Sequence, residues 1–118
     1  MLFRSLVEAA TGEENPEEMI VQTVTLDDFI ARSGLHPHWV KIDVEGAEIR
    51  VLRGARKLLS GEAQIVCELH PYAWEAFGDS FDELRSLVAA AGRRMRYLDQ
   101  AHSLAGPPAY GIVVLDRT

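Results

Sequence analysis

Cysteine is almost missing from this chain. Cys67 stands alone among 118 residues, so no internal disulfide can brace the fold, and a reducing cytoplasm is the compartment that fits. It sits in the apolar run Ile65-Val66-Cys67, where a thiol behaves as a small hydrophobe. Long hydrophobic stretches are absent as well. The first ten residues are too short to span a bilayer and lack the shape of a cleaved leader, so no membrane segment is expected. Positive charge is scarce, with 12 basic against 18 acidic residues and a net charge of −6. With no basic cluster to offset that balance, a phosphate backbone is repelled and nucleic acid is excluded as a partner. None of the nine glycines forms a Gly-x-Gly pair after a strand, which excludes the usual doubly wound cradle for a nucleotide tail and a phosphate loop.

What remains is a 47% hydrophobic chain with enough apolar matter for one compact core. Residues 1–18 are expected to hold a short helix, with Leu2, Phe3, Leu6, Val7 and Ala10 on one face, and then a solvated acidic loop at Glu13, Glu14, Glu17 and Glu18. Residues 19–118 carry the pattern of an α/β core. A strand is expected over 19–24. Thr25 and Asp28 then make a capping pattern for a helix ending near Gly34, with Leu26, Phe29 and Ile30 as its buried stripe. A second strand spans 40–43. Beyond Gly46, the residues Ala47, Val51, Leu52, Ala55, Leu58 and Leu59 share one face of a single helix that stops at Ser60-Gly61. Glu48 in its first turn and Arg56 and Lys57 in its last complement the helix dipole.

A third strand is expected over 64–69. Ser80 and Glu83 form a capping box for a helix faced by Phe81, Leu84, Leu87, Val88 and Ala91 and ended by Gly92. Strands over 95–98 and 111–115 close the domain, the last as an antiparallel return at the sheet edge after the Gly106-Pro107-Pro108 loop. Crossover helices force the earlier strands to pair in parallel. In such sheets ligands bind beyond the carboxyl ends of the strands.

That rule selects four side chains. Asp43 and Glu45 follow one strand, while Glu68 and His70 close the next. Neighbouring strands lie about 5 Å apart, so the four can converge on one small volume. A carboxylate or imidazole there suits removal of a proton from a substrate hydroxyl. The three carboxylates also have a plain structural reading. Glu68, interrupting an apolar strand, is neutralised by Lys41 on the neighbouring strand or by backbone donors. Asp43 and Glu45 cap the following helix. The cluster matches no specific metal signature, and no metal is assigned. His36 and His38 are ordinary loop residues, and His102 has no partner pattern. Trp39, Tyr72, Trp74 and Phe77 are candidates for walling a pocket near the strand ends.

Four segments, taken in order, resemble the FkbM-type methyltransferases. They are Val24-Thr25-Leu26-Asp27-Asp28-Phe29-Ile30, Val40-Lys41-Ile42-Asp43-Val44-Glu45-Gly46-Ala47-Glu48, Val51-Leu52-Arg53-Gly54-Ala55 and Ile65-Val66-Cys67-Glu68-Leu69-His70-Pro71. The resemblance extends loosely over residues 24–115. It implies a truncated Rossmann-like class I methyltransferase sheet of parallel strands with an antiparallel closing strand. It also implies S-adenosylmethionine as methyl donor and a small-molecule hydroxyl acceptor such as a sugar or secondary metabolite. By resemblance, Asp43 and Glu45 face the active site and the cofactor after the fourth strand, and Glu68 and His70 match the end of the fifth.

The family's first strand with its aspartate-x-glycine-alanine-asparagine loop, and the acidic end of its second strand, have no counterpart in these residues. Weak or absent binding of S-adenosylmethionine by the isolated chain is therefore expected. The strand over 40–43 becomes an exposed edge, to be covered by residues 19–24, by a second copy in a homodimer, or by a separate N-terminal half. Two other readings stand beside the methyltransferase: a non-catalytic α/β interaction or oligomerisation module, and a metal-assisted hydrolase using the same acidic cluster.

Overall fold

A computed structural model describes residues 20–99 and 101–118, together with the backbone of Leu2–Phe3. That dipeptide is β1, paired antiparallel with β2 at Val21–Gln22. The helix expected from Leu2 onward is thus replaced by a strand at its first two residues, since a short helix has little stability of its own against a backbone partner. The rest of that helix and the acidic loop lie outside the described residues. Of the strand expected over 19–24, Met19 lies outside the described residues, and among residues 20–24 the strand is confined to Val21–Gln22.

Helix α1 spans Leu26–Ser33. Thr25 caps it by accepting the Asp28 N–H at 3.1 Å, and Gly34, at φ 69°, closes it with an N–H to the Ile30 carbonyl. Leu26 and Ile30 pack against the core, but Phe29 is half exposed. The stripe is narrower than expected because α1 sits at the margin of the domain, over α3 rather than over the sheet.

Strand β3, Trp39–Ile42, runs parallel to β4, Gln64–Leu69, with Lys41 opposite Val66 and Ile42 opposite Cys67. Between them the single helix expected over 47–59 is broken into α2, Glu48–Arg53, and α3, Arg56–Ser60. The break has a tertiary cause. Asp27 donates its N–H to the Gly54 carbonyl at 3.0 Å, and its carboxylate accepts the N–H groups of Lys57 and Leu58 at 2.8 and 3.1 Å. An N-cap for α3 is thereby supplied from α1. Thr25 packs so close to Gly54 that a Cβ there would lie 2.9 Å from the Thr25 Cβ.

After β4 come a 3₁₀ turn at Pro71–Ala73, α4 at Trp74–Phe77 and α5 at Phe81–Ala90. Ser80 accepts the Glu83 N–H, half of the expected capping box. The Glu83 carboxylate turns instead to Arg53, which also bonds Asp79 at 2.5 Å. This cross-link ties α2 to α5. Two strands finish the chain, β5 at Arg93–Tyr97 and β6 at Gly111–Arg117.

The four-stranded sheet has the order β3-β4-β6-β5, with β6 antiparallel to both neighbours. The last strand is therefore interior, not the edge return expected from its loop. The crossover through α4 and α5 carries β5 past one vacant position, and β6, Val- and Leu-rich, fills it. Side chains alternate: Ile42, Ile65, Cys67, Leu69, Met95, Tyr97, Val113 and Leu115 are buried with Ile49, Leu52, Leu59, Leu84 and Val88. Trp39, Lys41, Arg94 and Arg96 lie exposed on the opposite face. Buried Arg93 binds the carbonyls of Leu59, Gly61, Ala63 and Leu115, fastening the end of α3 to the sheet. No described helix is long and apolar enough to cross a membrane.

Candidate functional site

The carboxyl ends of β3 and β4 lie side by side, as their parallel register requires. A tight turn follows β3, closed by the Ala47 N–H on the Val44 carbonyl at 3.3 Å. Glu45 adopts φ 51° and Gly46 φ 108°. Gly46 has no substitute here, since a Cβ would overlap the Ala73 methyl and meet the Phe77 ring at 3.2 Å. The left-handed backbone at Glu45 is a strained choice for a residue with a side chain, of the kind concentrated at working sites.

The four side chains selected from the sequence do share one hollow. His70 Nε2 lies 4.0 Å from Asp43 Oδ1 and 3.8 Å from Glu45 Oε2. Ligand-capable atoms of Asp43, Glu68 and His70 all fall within 4.8 Å of one another. Asp43 is paired with Lys41 through Oδ2 at 3.4 Å. The expected Lys41–Glu68 neutralisation does not occur, because Lys41 stands opposite Val66 and reaches along its own strand. Glu68 is half-buried and accepts a hydrogen bond from the Tyr110 hydroxyl. That bond, with the carboxylate's charge, pushes the Tyr110 phenol above its usual range. Glu45, with its side chain 77% exposed, accepts a bond from Tyr72 at 3.4 Å.

Behind the hollow sits a residue that sequence reasoning had given only a dipole role. Glu48 is completely buried. Its Oε1 accepts the Gly46 N–H at 2.7 Å and faces His70 Nδ1 at 2.8 Å. Its Oε2 accepts Trp74 Nε1 at 2.7 Å and the His70 N–H at 3.5 Å. A carboxylate surrounded by N–H donors accepts only, so the proton shared with His70 belongs on Nδ1 and the Nε2 edge is turned toward Asp43 and Glu45. Glu48 thus locks both the tautomer and the orientation of the imidazole. It lies inside the second family-like segment, which was the available signal. The fold-back of Pro71–Ala73 and Trp74 onto it left no periodic trace.

The aromatic wall is partly as expected. Tyr72 and Tyr110 meet the His70 ring edge-on at 5.9 and 5.4 Å, and Tyr110 had not been foreseen. Trp74 is buried as a donor to Glu48, and Phe77 lies beneath Gly46 with Arg50 over its ring. Trp39 begins β3, at the end away from Asp43, and is exposed. His38 contributes its backbone carbonyl to Gln64. His102 does have a partner, Asp99, at 2.7 Å.

A family model described as the methyltransferase FkbM domain matches residues 3–95. The chain belongs to the FkbM methyltransferase family. The match takes in β3, β4 and every member of the hollow except Tyr110. Searches of curated proteins and of solved structures find no match to this FkbM-family chain. The observed architecture is a small α/β fold with a four-strand mixed sheet, in keeping with a shortened methyltransferase-like domain.

Proposed function

We propose that this domain serves S-adenosylmethionine-dependent O-methyl transfer, with the hollow between β3 and β4 receiving a small-molecule hydroxyl acceptor. The observation that carries the reading is the convergence of Asp43, Glu45, Glu68 and the Glu48-locked His70 at the strand tips of a methyltransferase-family chain. The antiparallel last strand beside β4 supports a Rossmann-like sheet of which β3 and β4 are the fourth and fifth strands.

The carboxylates of Asp43 and Glu45 suit the cationic reactive end of the methyl donor. The described residues include no glycine-paired turn to enclose its tail. When bound, S-adenosylmethionine supplies an electrophilic methyl carbon. The protein's part is the proton. Glu45 is the most exposed carboxylate of the hollow, held on a left-handed backbone and steadied by Tyr72. It accepts the proton that an acceptor hydroxyl must lose, and the His70 imidazole, fixed by Glu48, walls the hollow beside that hydroxyl.

The test is methyl transfer from labelled S-adenosylmethionine to a panel of sugars and hydroxylated metabolites. Glu45→Gln should reduce kcat about 100-fold or more with the fold intact. A rate equal to wild type removes Glu45 from the role, and no transfer to any acceptor by wild type, with S-adenosylmethionine in large excess to offset weak binding, counts against the whole reading.

A second reading is favoured by the sheet edge. Among the described residues β3 has no strand on its outer side, and β2 pairs with β1 rather than with it. A groove of about 450 Å³ runs there, lined by Val24, Leu26, Val40, Ile42, Val44 and Val51 among others. An apolar edge of this kind is suited to a second copy or a separately made half of the domain. Light scattering at high concentration that shows monomer alone would dispose of the homodimer.

A further inference from the structure

The hollow has more negative charge than its neighbours balance. Four carboxylates, from Asp43, Glu45, Glu48 and Glu68, surround one imidazole, and Lys41 is the only described lysine or arginine ion-paired with any of them. Lys41 is itself exposed. The His70 side chain is 3% exposed, and its Nε2, which makes no hydrogen bond among the described residues, faces carboxylate oxygens 3.8 and 4.0 Å away. A lone pair facing anions is unfavourable unless something positive lies between them.

We propose that Asp43, Glu68 and His70 bind a divalent metal ion of the manganese or zinc kind, through Asp43 Oδ1, a Glu68 carboxylate oxygen and His70 Nε2. A mixed set of one imidazole nitrogen and two carboxylates suits such ions better than magnesium, which favours oxygen alone. Bonds of about 2.0–2.2 Å place ligand atoms about 3–4 Å apart, and a spread within 4.8 Å closes to that by small side-chain rotations.

Each ligand is already held from behind. Glu48 accepts from His70 Nδ1, Tyr110 donates to Glu68, and Lys41 steadies Asp43 Oδ2. A second atom bound to a fixed partner, leaving one atom directed inward, is the arrangement that orients metal ligands. The ion's role rests on the methyl-transfer reading: an acceptor oxygen completing its coordination loses its proton more readily, and Glu45, outside the ligand set, remains free to take it.

The test titrates Mn²⁺ into the 118-residue chain, following the free-ion signal by electron paramagnetic resonance. One bound ion per chain is expected, displaced by Zn²⁺. Asp43→Asn and Glu68→Gln, both at accessible positions, should each weaken binding tenfold or more without changing the thermal melt, whereas Glu62→Gln, on a distant exposed residue, should leave it unchanged. Glu48→Gln should weaken it about 10–100-fold. Absence of bound Mn²⁺, or equal binding by wild type and both ligand variants, overturns the site. If methyl transfer also persists in chelator, the site falls while the enzymatic reading stands. Bound Mn²⁺ lost in the variants, with no transfer to any acceptor, supports the site and counts against the enzyme.

Discussion

Replacing Glu48 by glutamine alters the charge and one atom of a completely buried side chain, and the consequences can be worked from its contacts. In the native site both oxygens accept, Oε1 from Gly46 and His70 Nδ1 and Oε2 from Trp74 Nε1 and the His70 N–H. An amide keeps one acceptor and presents two N–H groups where Trp74 or His70 also donates. At least one buried donor is left facing a donor, and the surviving bonds lose their charge assistance. With about 1–3 kcal/mol for an unsatisfied buried group and about 1.5–3 for a bond to a charge, a net loss of about 2–4 kcal/mol is expected. Glu48→Ala strips all the donors at once and should cost about 5 kcal/mol or more, close to the whole stability of a small domain.

Urea unfolding followed by circular dichroism measures this. A loss of that size lowers the midpoint by about 1–2 M for a typical denaturant slope. Glu45→Gln, whose side chain is largely exposed, is the control and should stay within about 0.5 kcal/mol of wild type. Equal midpoints for wild type and Glu48→Gln would refute the claim that Glu48 is the structural keystone of the hollow.

Three further outcomes follow from other parts of the fold. Gly46→Ala should cost about 3 kcal/mol or more in thermal unfolding, because it adds overlap with Ala73 to an unfavourable φ. Gly34→Ala, with a similar backbone sign but open space around it, should cost about 1–2; equal losses would argue against the overlap. The Cys67 thiol, raised by burial, should resist a disulfide reagent at pH 8 and release one equivalent only in denaturant; rapid labelling of native protein would contradict its packing. Bonding to Arg53 lowers the Glu83 carboxyl below its ordinary 4.5, so its stabilising contribution is complete above that value and fades as pH falls through it. The melting difference between wild type and Glu83→Gln should shrink below about pH 4.5, and a constant difference would show that the pairing is not what stabilises.

Much of the core was legible because local rules and tertiary demands agreed. Strand β4 has the bounds expected from its apolar run, and α1 and α5 begin at the Thr25 and Ser80 caps, since a cap bonds within three residues of itself. The apolar run of β4 marked Glu68 as an anomaly, and its place at the strand end put it near His70. Two parallel strands joined by a helical crossover present their carboxyl ends on the same side, so the meeting of Asp43, Glu45, Glu68 and His70 followed from chain order alone.

What the sequence pattern could not convey were the interactions made between distant segments. The break at Gly54 depends on Asp27, some thirty residues away, and the Glu83 carboxylate left its capping box for Arg53. The interior place of β6 was settled by which strand position α5 left vacant, a choice invisible to loop composition. Glu48 looked like a surface dipole partner because periodicity reports only which side of a helix a residue occupies. Whether that side meets water or the buried donors of Gly46, His70 and Trp74 is decided by packing, when desolvation obliges every such group to find a partner.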